Sequence, residues 1–360
     1  MKNNHYVAIM AGGIGSRFWP MSRAHYPKQF LDILGIGRTL IQNTYDRFAR
    51  FIPSSNIYIV TSEEYRQIVK KQLPELKDSN ILCEPSRKNT APCIAYISYK
   101  LNEINPDGAL ICAPADHLIL DDKAFNKVCL EALDFVSKHK ALITLGVKPT
   151  NPNTGYGYIQ YEQQGVSDNV FKVKTFTEKP NLELARTFLA SGDFLWNAGI
   201  FVWQVKNIIR AFEQNVPEIH EVFDAEKEHF NTKKENEAIA RIYPQCTNIS
   251  IDYAVMEKAD NVYVIPASFG WSDLGTWTSA YETFEKDYLE NAVGGKEVVV
   301  IDATRNMVQV PHHKLVVLQG LDDFIVVDTE DVLLICKKDK EQEIKDYVAE
   351  VKRNKGEKYL

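Results

Sequence analysis

A glycine-rich loop near the N-terminus carries residue types that bind phosphate. It follows the apolar run 6–10 and reads Gly-Gly-Ile-Gly-Ser-Arg over residues 12–17. Glycines tolerate positive φ and let backbone N–H groups approach a ligand closely. Ser16, Arg17 and Arg23 add a hydroxyl and two positive charges. We interpret the segment as a phosphate-binding loop, and the alternative is a strand-to-loop turn whose arginines are merely solvated.

Two better-known phosphate loops are excluded by the same residues. A Walker A loop needs Gly-Lys-Ser or Gly-Lys-Thr after four spacer residues, and the sequence contains neither. A dinucleotide-binding loop needs a third glycine that opens a continuous helix, with an acidic residue about 20 positions later. Asp32 lies near that offset, but the third glycine is missing, and Pro20 and Pro27 interrupt the following stretch. We therefore reject hydride transfer.

Three charged residues from distant segments could complete a site for phosphate and a metal ion. Lys28 lies in Tyr-Pro-Lys-Gln-Phe just beyond the loop, where an ammonium group suits phosphate oxygens. Asp116 follows a predicted strand in Ala-Pro-Ala-Asp-His, and Asp273 lies in Gly-Trp-Ser-Asp-Leu-Gly. Mg²⁺ takes one or two carboxylates together with waters and substrate phosphate oxygens. The alternative for each aspartate is a loop residue that caps a backbone N–H.

A third group of residues is suited to a sugar phosphate. Glu178 and Lys179 end a predicted strand in Phe-Thr-Glu-Lys-Pro, and Asn197 lies in Trp-Asn-Ala-Gly. A carboxylate accepts hydrogen bonds from hydroxyl groups, an amide both donates and accepts, and a lysine binds phosphate. Each residue alone is weak support, and their combination with the phosphate loop carries the interpretation.

The elements that must position these residues alternate between strand and helix in the first half of the chain. Apolar β-branched runs predict strands at 6–10, 56–61, 81–83, 109–113 and 141–147. Amphipathic spacing predicts helices at 40–52, 63–73, 90–101 and 124–139, and Thr61 with Glu64 forms a candidate capping box. This alternation predicts an α/β fold with a Rossmann-like, mostly parallel sheet that has helices on both faces. Ligands bind such sheets at the carboxyl ends of the strands.

The second half of the chain changes character. Residues 205–259 are predicted to be mainly helical, with the charged stretch 226–237 as a solvated face. After Trp277, short strands at 298–301, 308–310, 315–318, 324–327 and 333–336 predict a small all-β unit, which a helix at 340–352 closes. The loosest backbone lies near Gly294 and Gly295. We therefore predict two domains, residues 1–288 and residues 289–360.

Bulk properties limit the partners. The 360 residues are 45% hydrophobic and 25% charged, as in ordinary globular proteins. A net charge of −6 does not favour binding to nucleic acid or to a membrane surface, so phosphate must be bound locally. The six cysteines have neither disulfide nor zinc spacing and are expected to be small buried residues in a reducing compartment. No apolar run approaches membrane-spanning length, and we expect a cytoplasmic protein.

The order of the motifs resembles that of the mannose-1-phosphate guanylyltransferases. The similarity spans roughly residues 5–280. It rests on Gly-Gly-x-Gly-x-Arg-x-Trp-Pro-x-Ser-Arg, Pro-Lys-Gln, Glu-Pro-x-x-x-Asn-Thr-Ala-Pro, Pro-Ala-Asp-His, Gly-Tyr-Gly-Tyr-Ile, Glu-Lys-Pro, Trp-Asn-Ala-Gly and Gly-Trp-Ser-Asp-Leu-Gly. The resemblance implies a nucleotidyltransferase core and a short C-terminal unit that is similar to a left-handed β-helix.

The resemblance also implies roles for individual residues. The residues that would cradle the GTP phosphates or act on the reacting phosphates are Gly12, Gly13, Gly15, Ser16, Arg17 and Lys28. The residues of the segment associated with guanine and ribose are Glu84, Pro85, Asn89 and Thr90. The residues that would hold mannose 1-phosphate are Gly157, Glu178, Lys179 and Asn197, with Mg²⁺ on Asp116 and Asp273. Lys88 replaces the arginine found in many members, and lysine lacks the planar fork for bidentate contacts.

The implied reaction is GMP transfer from GTP to mannose 1-phosphate, which gives GDP-mannose and pyrophosphate. An anionic nucleophile needs no general base, so positioning and charge neutralisation dominate, with Arg17, Lys28, Asp116 and Asp273 as the catalytic set. Two alternatives stay open: another base or hexose within the same enzyme class, and a regulatory subunit without turnover. The sequence does not determine the oligomeric state, and a homodimer is one arrangement that is compatible with it.

Overall fold

The computed structural model describes residues 4–360 and divides into two compact units. Unit 1 contains the chain up to Gly12 together with residues 44–115 and 119–271. Unit 2 contains residues 13–43, 116–118 and 272–360. The chain passes between the units several times, so neither unit is one continuous segment.

Unit 1 is built on a sheet of nine strands within the described residues. The strands up to residue 272 are β1 (His5–Met10), β2 (Ile57–Ser62), β3 (Ile81–Glu84), β4 (Ala109–Pro114), β5 (Leu118–Ile119), β6 (Leu142–Val147), β7 (Tyr158–Tyr161), β8 (Phe171–Thr177), β9 (Phe194–Gln204), β10 (Val262–Ala267) and β11 (Trp271–Ser272). The sheet order is β3-β2-β1-β4-β9-β6-β10-β8-β7. β8 and β9 run opposite to the other strands of this sheet, so the prediction of a mostly parallel sheet is confirmed.

Helices cover both faces of this sheet. The α-helices that begin before residue 272 are α1 (Leu40–Ala49), α2 (Arg66–Gln72), α3 (Thr90–Asn102), α4 (Asp122–Lys138), α5 (Leu182–Ser191), α6 (Val205–Asn215), α7 (Pro217–Asp224) and α8 (Glu235–Ile242). Alternate residues of β1 separate the faces, because Tyr6 and Ala8 pack in the core that contains α3 and α6. Val7 and Ile9 are buried on the other face, as in a strand that is covered on both sides.

The predicted capping box at the start of the second helix is wrong. Thr61 is the fifth residue of β2, and its hydroxyl donates a hydrogen bond to the carbonyl of Ala11 at 2.9 Å. A 3₁₀ turn, Glu63–Tyr65, follows the strand, and α2 begins only at Arg66 without a side-chain cap. The hydroxyl is therefore used to fix the chain beyond β1.

The charged stretch 226–237 is not uniformly solvated, contrary to the prediction. Glu235 is buried, and its carboxylate lies 2.5 Å from the ammonium of Lys100 on α3. The hydroxyl of Tyr96 donates to the same carboxylate at 2.9 Å. This pair joins α8 to α3 in the interior of unit 1, a long-range partnership that charge spacing along the sequence does not reveal.

The C-terminal part of unit 2 is a stack of parallel strands. Its elements are α9 (Trp277–Thr283), β12 (Ala292–Gly294), β13 (Val298–Ile301), β14 (Met307–Gln309), β15 (Val316–Gln319), β16 (Phe324–Asp328), β17 (Leu333–Lys337) and α10 (Ile344–Lys355). β12, β14 and β16 pair in parallel, β13 pairs in parallel with β15, and β17 closes the larger sheet in the antiparallel direction. Alternating strands that stack on their counterparts one coil later form a β-helix-like unit, as expected.

Buried asparagines connect the successive coils of this stack. The side-chain oxygen of Asn291 accepts hydrogen bonds from the backbone and side-chain nitrogens of Asn306, at 3.0 and 2.9 Å. The oxygen of Asn306 in turn accepts from the backbone of Phe324 at 2.8 Å. Because both side chains are buried, these bonds satisfy polar groups that would otherwise destabilise the stack.

Residues 13–43 share a hydrophobic core with this stack inside unit 2. The rings of Phe18 and Trp277 lie 4.6 Å apart between centroids, and both side chains are fully buried. The same core contains Ile325 and Ile344. The indole N–H of Trp19 donates to the carbonyl of Tyr359 at 2.8 Å. The segment after β1 is therefore packed against the C-terminal residues.

Two expectations from composition concern cysteines and membranes. All six cysteines are free thiols. The prediction that they are small buried residues is confirmed for five of them, and Cys83 is half-buried. Within residues 4–360, no helix is both long enough and apolar enough to span a membrane.

Candidate active site

The predicted site residues fall into separate clusters within the two units. The unit 1 residues are Gly12, Glu84, Pro85, Asn89, Thr90, Gly157, Glu178, Lys179 and Asn197. The unit 2 residues are Gly13, Gly15, Ser16, Arg17, Lys28, Asp116 and Asp273. We call them the Glu84 cluster (residues 12 and 84–90), the Asn197 cluster (residues 157, 178, 179 and 197) and the Lys28 cluster (residues 13–17, 28, 116 and 273).

The loop of the Lys28 cluster requires glycine at position 15. Gly15 has φ 63° and begins the 3₁₀ turn Ser16–Phe18. A Cβ atom there would lie 2.6 Å from Cβ of Lys28, so both the backbone conformation and the space exclude a side chain. The loop is anchored through its carbonyl groups, because Ser22 donates to Ile14 at 2.7 Å and Gln29 donates to Gly13 at 2.9 Å.

The hydrogen-bond donors of this loop are available to a ligand. Among residues 4–360, the backbone N–H groups of residues 13–16 have no hydrogen-bond partner. Nε of Arg17 is buried and also lacks a partner within that range. A buried donor without a partner costs about 1–3 kcal/mol, and this cost applies to Nε of Arg17. The N–H groups of residues 13–16 belong to exposed or half-buried residues, and successive unpaired N–H groups of this kind form a concave site for an anion. The geometry supports the interpretation of the loop as a phosphate site.

Arg23 does not belong to this donor array, contrary to our interpretation of its charge. Its Nε donates to the carbonyl of Pro20 at 2.5 Å, and its guanidinium lies 2.7 Å from the carboxylate of Asp331. The charge of Arg23 is therefore neutralised inside unit 2, where it connects the loop segment to the β-helix-like stack.

Lys28 is the centre of its cluster. Its ammonium lies 2.8 Å from the carboxylate of Asp116 and donates to the carbonyls of Asp273 at 3.0 Å and Leu274 at 2.8 Å. The side chain is only 4% exposed. These contacts use all three ammonium protons, so Lys28 holds two distant segments together at the loop.

Asp116 is ionised at neutral pH in this environment. Burial raises the pKa of its carboxyl, but the charges of Lys28 and His117 and the hydrogen bond from Lys28 outweigh it, so the pKa lies below the usual value. Because the Asp116 carboxylate keeps its charge, it can bind a metal cation in addition to its ion pair with Lys28.

The donor set of this cluster fits Mg²⁺. Asp116 and Asp273 supply carboxylate oxygens, the ligands that Mg²⁺ prefers. Oδ1 of Asp273 accepts from the backbone of Gly275 at 2.8 Å, which orients that side chain. Among residues 4–360, no three His, Cys, Asp or Glu side chains converge into a closed metal cage. Two carboxylates completed by substrate phosphates are the arrangement expected for a metal that arrives with a nucleotide.

Glu84 is buried at the end of β3 and is paired with a residue that sequence analysis missed. The hydroxyl of Tyr243 donates to Oε1 of Glu84, and a Cβ atom on Gly12 would lie 3.0 Å from Oε2. Burial raises the pKa of Glu84 to about 7, while the Tyr243 hydrogen bond and the Arg87 charge act in the opposite direction. Nothing in the local sequence around Tyr243 marks it as a partner, because the contact spans the fold.

The side chains of Asn89 and Thr90 both accept hydrogen bonds from backbone N–H groups. Asn89 has φ 65° and caps α3, because its side-chain oxygen accepts from the backbone of Thr90 at 2.9 Å. The hydroxyl oxygen of Thr90 accepts from the backbone of Ile251 at 2.9 Å. Pro85 is exposed beside them, and Arg87 donates to the hydroxyl of Tyr65 at 2.6 Å. These contacts fix the segment between β3 and α3.

The Asn197 cluster is compact. The backbone N–H of Asn197 donates to the carbonyl of Gly157 at 2.8 Å. A Cβ atom on Gly157 would lie 2.5 Å from Oε2 of Glu178, so glycine leaves the room that this carboxylate occupies. Glu178 is 7% exposed and lies 2.7 Å from the ammonium of Lys179. All four predicted residues therefore meet, as their interpretation as one site requires.

Asp252 joins this cluster although sequence analysis did not select it. Its carboxylate accepts a hydrogen bond from the side-chain nitrogen of Asn197 at 2.9 Å. Burial raises its pKa to about 7, and the charge of Glu178 adds to the rise. One signal was present in the sequence: Asp252 is a single carboxylate within the largely apolar run 249–256.

Two family models match the chain. The model described as nucleotidyl transferase matches residues 6–290, and the model described as the mannose-phosphate isomerase/GMP-like β-helix domain matches residues 296–351. This chain belongs to the nucleotidyl transferase family. Its α/β core and its C-terminal β-helix-like unit are the two parts that these models describe.

Several proteins that are similar to this nucleotidyl transferase have names that state an activity or a pathway. The mannose-1-phosphate guanylyltransferase RfbM of Salmonella typhimurium is 34% identical over 98% of this chain and 73% of that protein. The alginate biosynthesis protein AlgA of Pseudomonas aeruginosa is 36% identical over 95% of this chain and 71% of that protein. The crystal structure of a mannose-1-phosphate geranyltransferase from Thermus thermophilus covers 97% of this chain and 99% of its own, at 28% identity and a TM-score of 0.86. The resemblance stated from the motifs is confirmed.

Proposed function

We propose that this nucleotidyl transferase moves GMP from GTP to mannose 1-phosphate and releases pyrophosphate, so that GDP-mannose forms. The observation that carries the proposal is the Lys28 cluster. The carboxylate of Asp116 and the backbone carbonyl of Asp273, which come from distant segments, meet at one ammonium in the unit that contains the loop with unpaired N–H donors. The name of the relative RfbM, which matches 98% of this chain and 73% of its own length, supports the choice of base and sugar.

The reaction joins two polyanions. A phosphate oxygen of mannose 1-phosphate attacks the α-phosphorus of GTP, the new P–O bond forms in line, and the bond to the bridging oxygen of the β-phosphate breaks. The electron pair of that bond leaves with pyrophosphate. Because the nucleophile is already an anion, the chain needs donors and cations, and the N–H groups of residues 13–16 with Arg17 supply them.

Lys28, Asp116 and Asp273 organise the reacting phosphates. Lys28 fixes the segments of both aspartates, because its ammonium contacts the Asp116 carboxylate and donates to the backbone carbonyls of Asp273 and Leu274. Asp116 and Asp273 would hold Mg²⁺, which when bound neutralises phosphate charge and favours departure of pyrophosphate.

The clusters of unit 1 supply recognition. Glu84 and the capped segment of Asn89 and Thr90 are proposed for guanine and ribose, with Gly12 adjacent to the Glu84 carboxyl. Gly157, Glu178, Lys179 and Asn197 are proposed for mannose 1-phosphate, because carboxylate, amide and ammonium groups bind hydroxyl and phosphate groups.

A substrate matrix tests the proposal. Pure protein is incubated with Mg²⁺, each of the four nucleoside triphosphates and either mannose 1-phosphate or glucose 1-phosphate, and pyrophosphate release and the sugar nucleotide are measured. We expect release with GTP and mannose 1-phosphate. Turnover with another pair of nucleoside triphosphate and sugar 1-phosphate would support the reaction type but contradict the proposed substrates. Binding without turnover would favour a regulatory subunit.

Three further predictions accompany this function. They are the division into residues 1–288 and 289–360, a homodimer and a cytoplasmic location. The first is supported by the ends of the two family matches, at residues 290 and 296. Light scattering of the purified chain tests the second, and fractionation of the native cells tests the third.

A further inference from the structure

The orientation of the Asn197 side chain is fixed from both ends. Its oxygen accepts hydrogen bonds from the hydroxyl of Thr144 at 2.7 Å and from the backbone of Gly199 at 3.1 Å. Its nitrogen donates to Asp252 at 2.9 Å. These partners settle which end of the amide is nitrogen. One N–H of the amide is left without a partner among residues 4–360.

The segment that carries Asp252 is itself held in place. Asp252 begins the π-helical turn Asp252–Met256. The backbone of Ile251 donates to Thr90 at 2.9 Å, and the backbone of Ala91 donates to the carbonyl of Ile249 at 3.1 Å. The carboxylate is therefore presented to Asn197 from a backbone that is bonded to the start of α3.

Asp252 also extends the acidic character of the cluster. Glu178 lies near enough for its charge to act on Asp252, and Lys179 supplies the nearby positive charge. Two acidic groups and an oriented amide present several hydrogen-bond acceptors and one donor, a set that suits the hydroxyl groups of a sugar.

We propose that Asp252 is a positioning residue for the sugar phosphate, which holds the Asn197 amide so that its free N–H points at the substrate. This inference rests on the proposed function, because it assigns a role within the site for the sugar phosphate. Without the carboxylate, the amide nitrogen loses its partner, and only the contacts of the amide oxygen with Thr144 and Gly199 still hold the side chain. Because this side-chain contact joins Asp252 to Asn197, we expect its loss to affect the sugar phosphate and not the nucleotide.

Steady-state kinetics of four variants test the inference. Asp252→Ala removes the acceptor, Asp252→Asn retains an acceptor oxygen without the charge, and Asn197→Ala removes the amide, alone and together with Asp252→Ala. We expect Asp252→Ala to raise the KM for mannose 1-phosphate about tenfold, with the KM for GTP within twofold. Asp252→Asn should restore most of this loss, and the double variant should be no worse than Asn197→Ala alone.

Each other outcome is decisive. Equal increases in both KM values, or additive losses in the double variant, would overturn the positioning role. The matched control is Asp260→Ala, which removes an exposed carboxylate from the same region and should leave both KM values unchanged. If wild-type protein turns over and Asp252→Ala is unselective, the inference alone fails. If wild-type protein turns over no substrate pair, the proposed function fails and the inference fails with it.

Discussion

The Lys28 cluster and the Asn197 cluster both combine carboxylates with cations, but they treat charge in opposite ways. Lys28 lies directly on Asp116, and the pKa of that carboxyl is lowered. In the Asn197 cluster, burial dominates and the pKa of Asp252 is raised to about 7. Asp116 in the first cluster therefore keeps its charge, whereas Asp252 in the second is close to neutrality near pH 7.

The difference follows from what each cluster would bind. Triphosphate and Mg²⁺ carry large charges, and only permanent opposite charges and unpaired N–H donors can replace their hydration. Sugar hydroxyl groups are neutral, and additional full charge beside a sugar phosphate would repel its phosphate. An oriented amide and the Asp252 carboxyl group, whose charge is reduced, supply hydrogen bonds without that repulsion.

Loss of Asp116 should have the largest effect on the charged cluster. We expect Asp116→Ala to lower kcat/KM by about 10³-fold, because it removes a carboxylate proposed for Mg²⁺. Pyrophosphate release gives the rate, and circular dichroism checks that the fold is intact. Asp322→Ala is the control, since Asp322 pairs with Arg305 on the surface of the same unit. Near-normal Mg²⁺-dependent turnover would refute the assignment.

Replacement of Lys28 should reveal its second role as an organiser. Lys28→Met leaves a carboxylate and two carbonyls without their donor, so we expect a loss of about 3 kcal/mol in the free energy of unfolding. Turnover should fall about 10²-fold. Denaturant titration and pyrophosphate release measure the two effects. Lys340→Met, which removes the cation of an ion pair that is exposed on both sides in the same unit, is the control. Unchanged unfolding would mean that Lys28 does not organise its cluster.

A methyl group at position 157 should affect only the sugar-binding cluster. A Cβ atom there would lie 2.5 Å from Glu178, so Gly157→Ala must displace that carboxylate. We expect the KM for mannose 1-phosphate to rise about tenfold and the KM for GTP to stay the same. At Gly155, the nearest atom to an added Cβ is the side-chain oxygen of Asn153 at 3.1 Å, so Gly155→Ala is the matched control. Similar changes in both KM values would show that the two clusters are not separate.

The smallest effect concerns the pH dependence of stability. The folded-state pKa of Asp252 is raised to about 7, so its contribution is fully present below the unfolded pKa and is lost as pH rises through about 7. Asp252→Asn cannot ionise. Relative to wild type, this variant should therefore gain at least about 1 kcal/mol in unfolding free energy between pH 5 and pH 8.

Denaturant titrations at the two pH values measure this difference. Glu84 has a raised pKa as well, but it is present in both proteins and cancels in the comparison. Asp260→Asn controls for the removal of an exposed carboxylate. The same stability difference at both pH values would contradict the assignment of a raised pKa to Asp252.

Local patterns were sufficient to predict most of the elements. The expected strand at 6–10 is observed as His5–Met10, and the expected helix at 90–101 is observed as Thr90–Asn102. Hydrophobic periodicity is a property of neighbouring residues, so it is readable from the sequence. The start of α2 was misplaced because the hydroxyl of Thr61 bonds to Ala11, a residue fifty positions away.

Pairings within the candidate site were harder to predict than its members. Motifs identified Glu84 and Asn197, but their partners Tyr243 and Asp252 lie in a region that was predicted only as helical. These contacts depend on how that region packs on the sheet, and no local spacing encodes it. For Arg23 the motif was misleading. Its position beside the glycine-rich loop suggested phosphate binding, but its guanidinium pairs with Asp331.

The shared core of unit 2 has a consequence for recombination between relatives. The segment 13–43 contacts the C-terminal residues through Phe18 with Trp277, Arg23 with Asp331 and Trp19 with Tyr359. An exchange of the β-helix-like domain alone, cut near residue 290, would leave Phe18 with Trp277 but would separate Arg23 from Asp331 and Trp19 from Tyr359. A chimera that preserves these contacts must therefore take residues 13–43 and the C-terminal residues from the same parent protein.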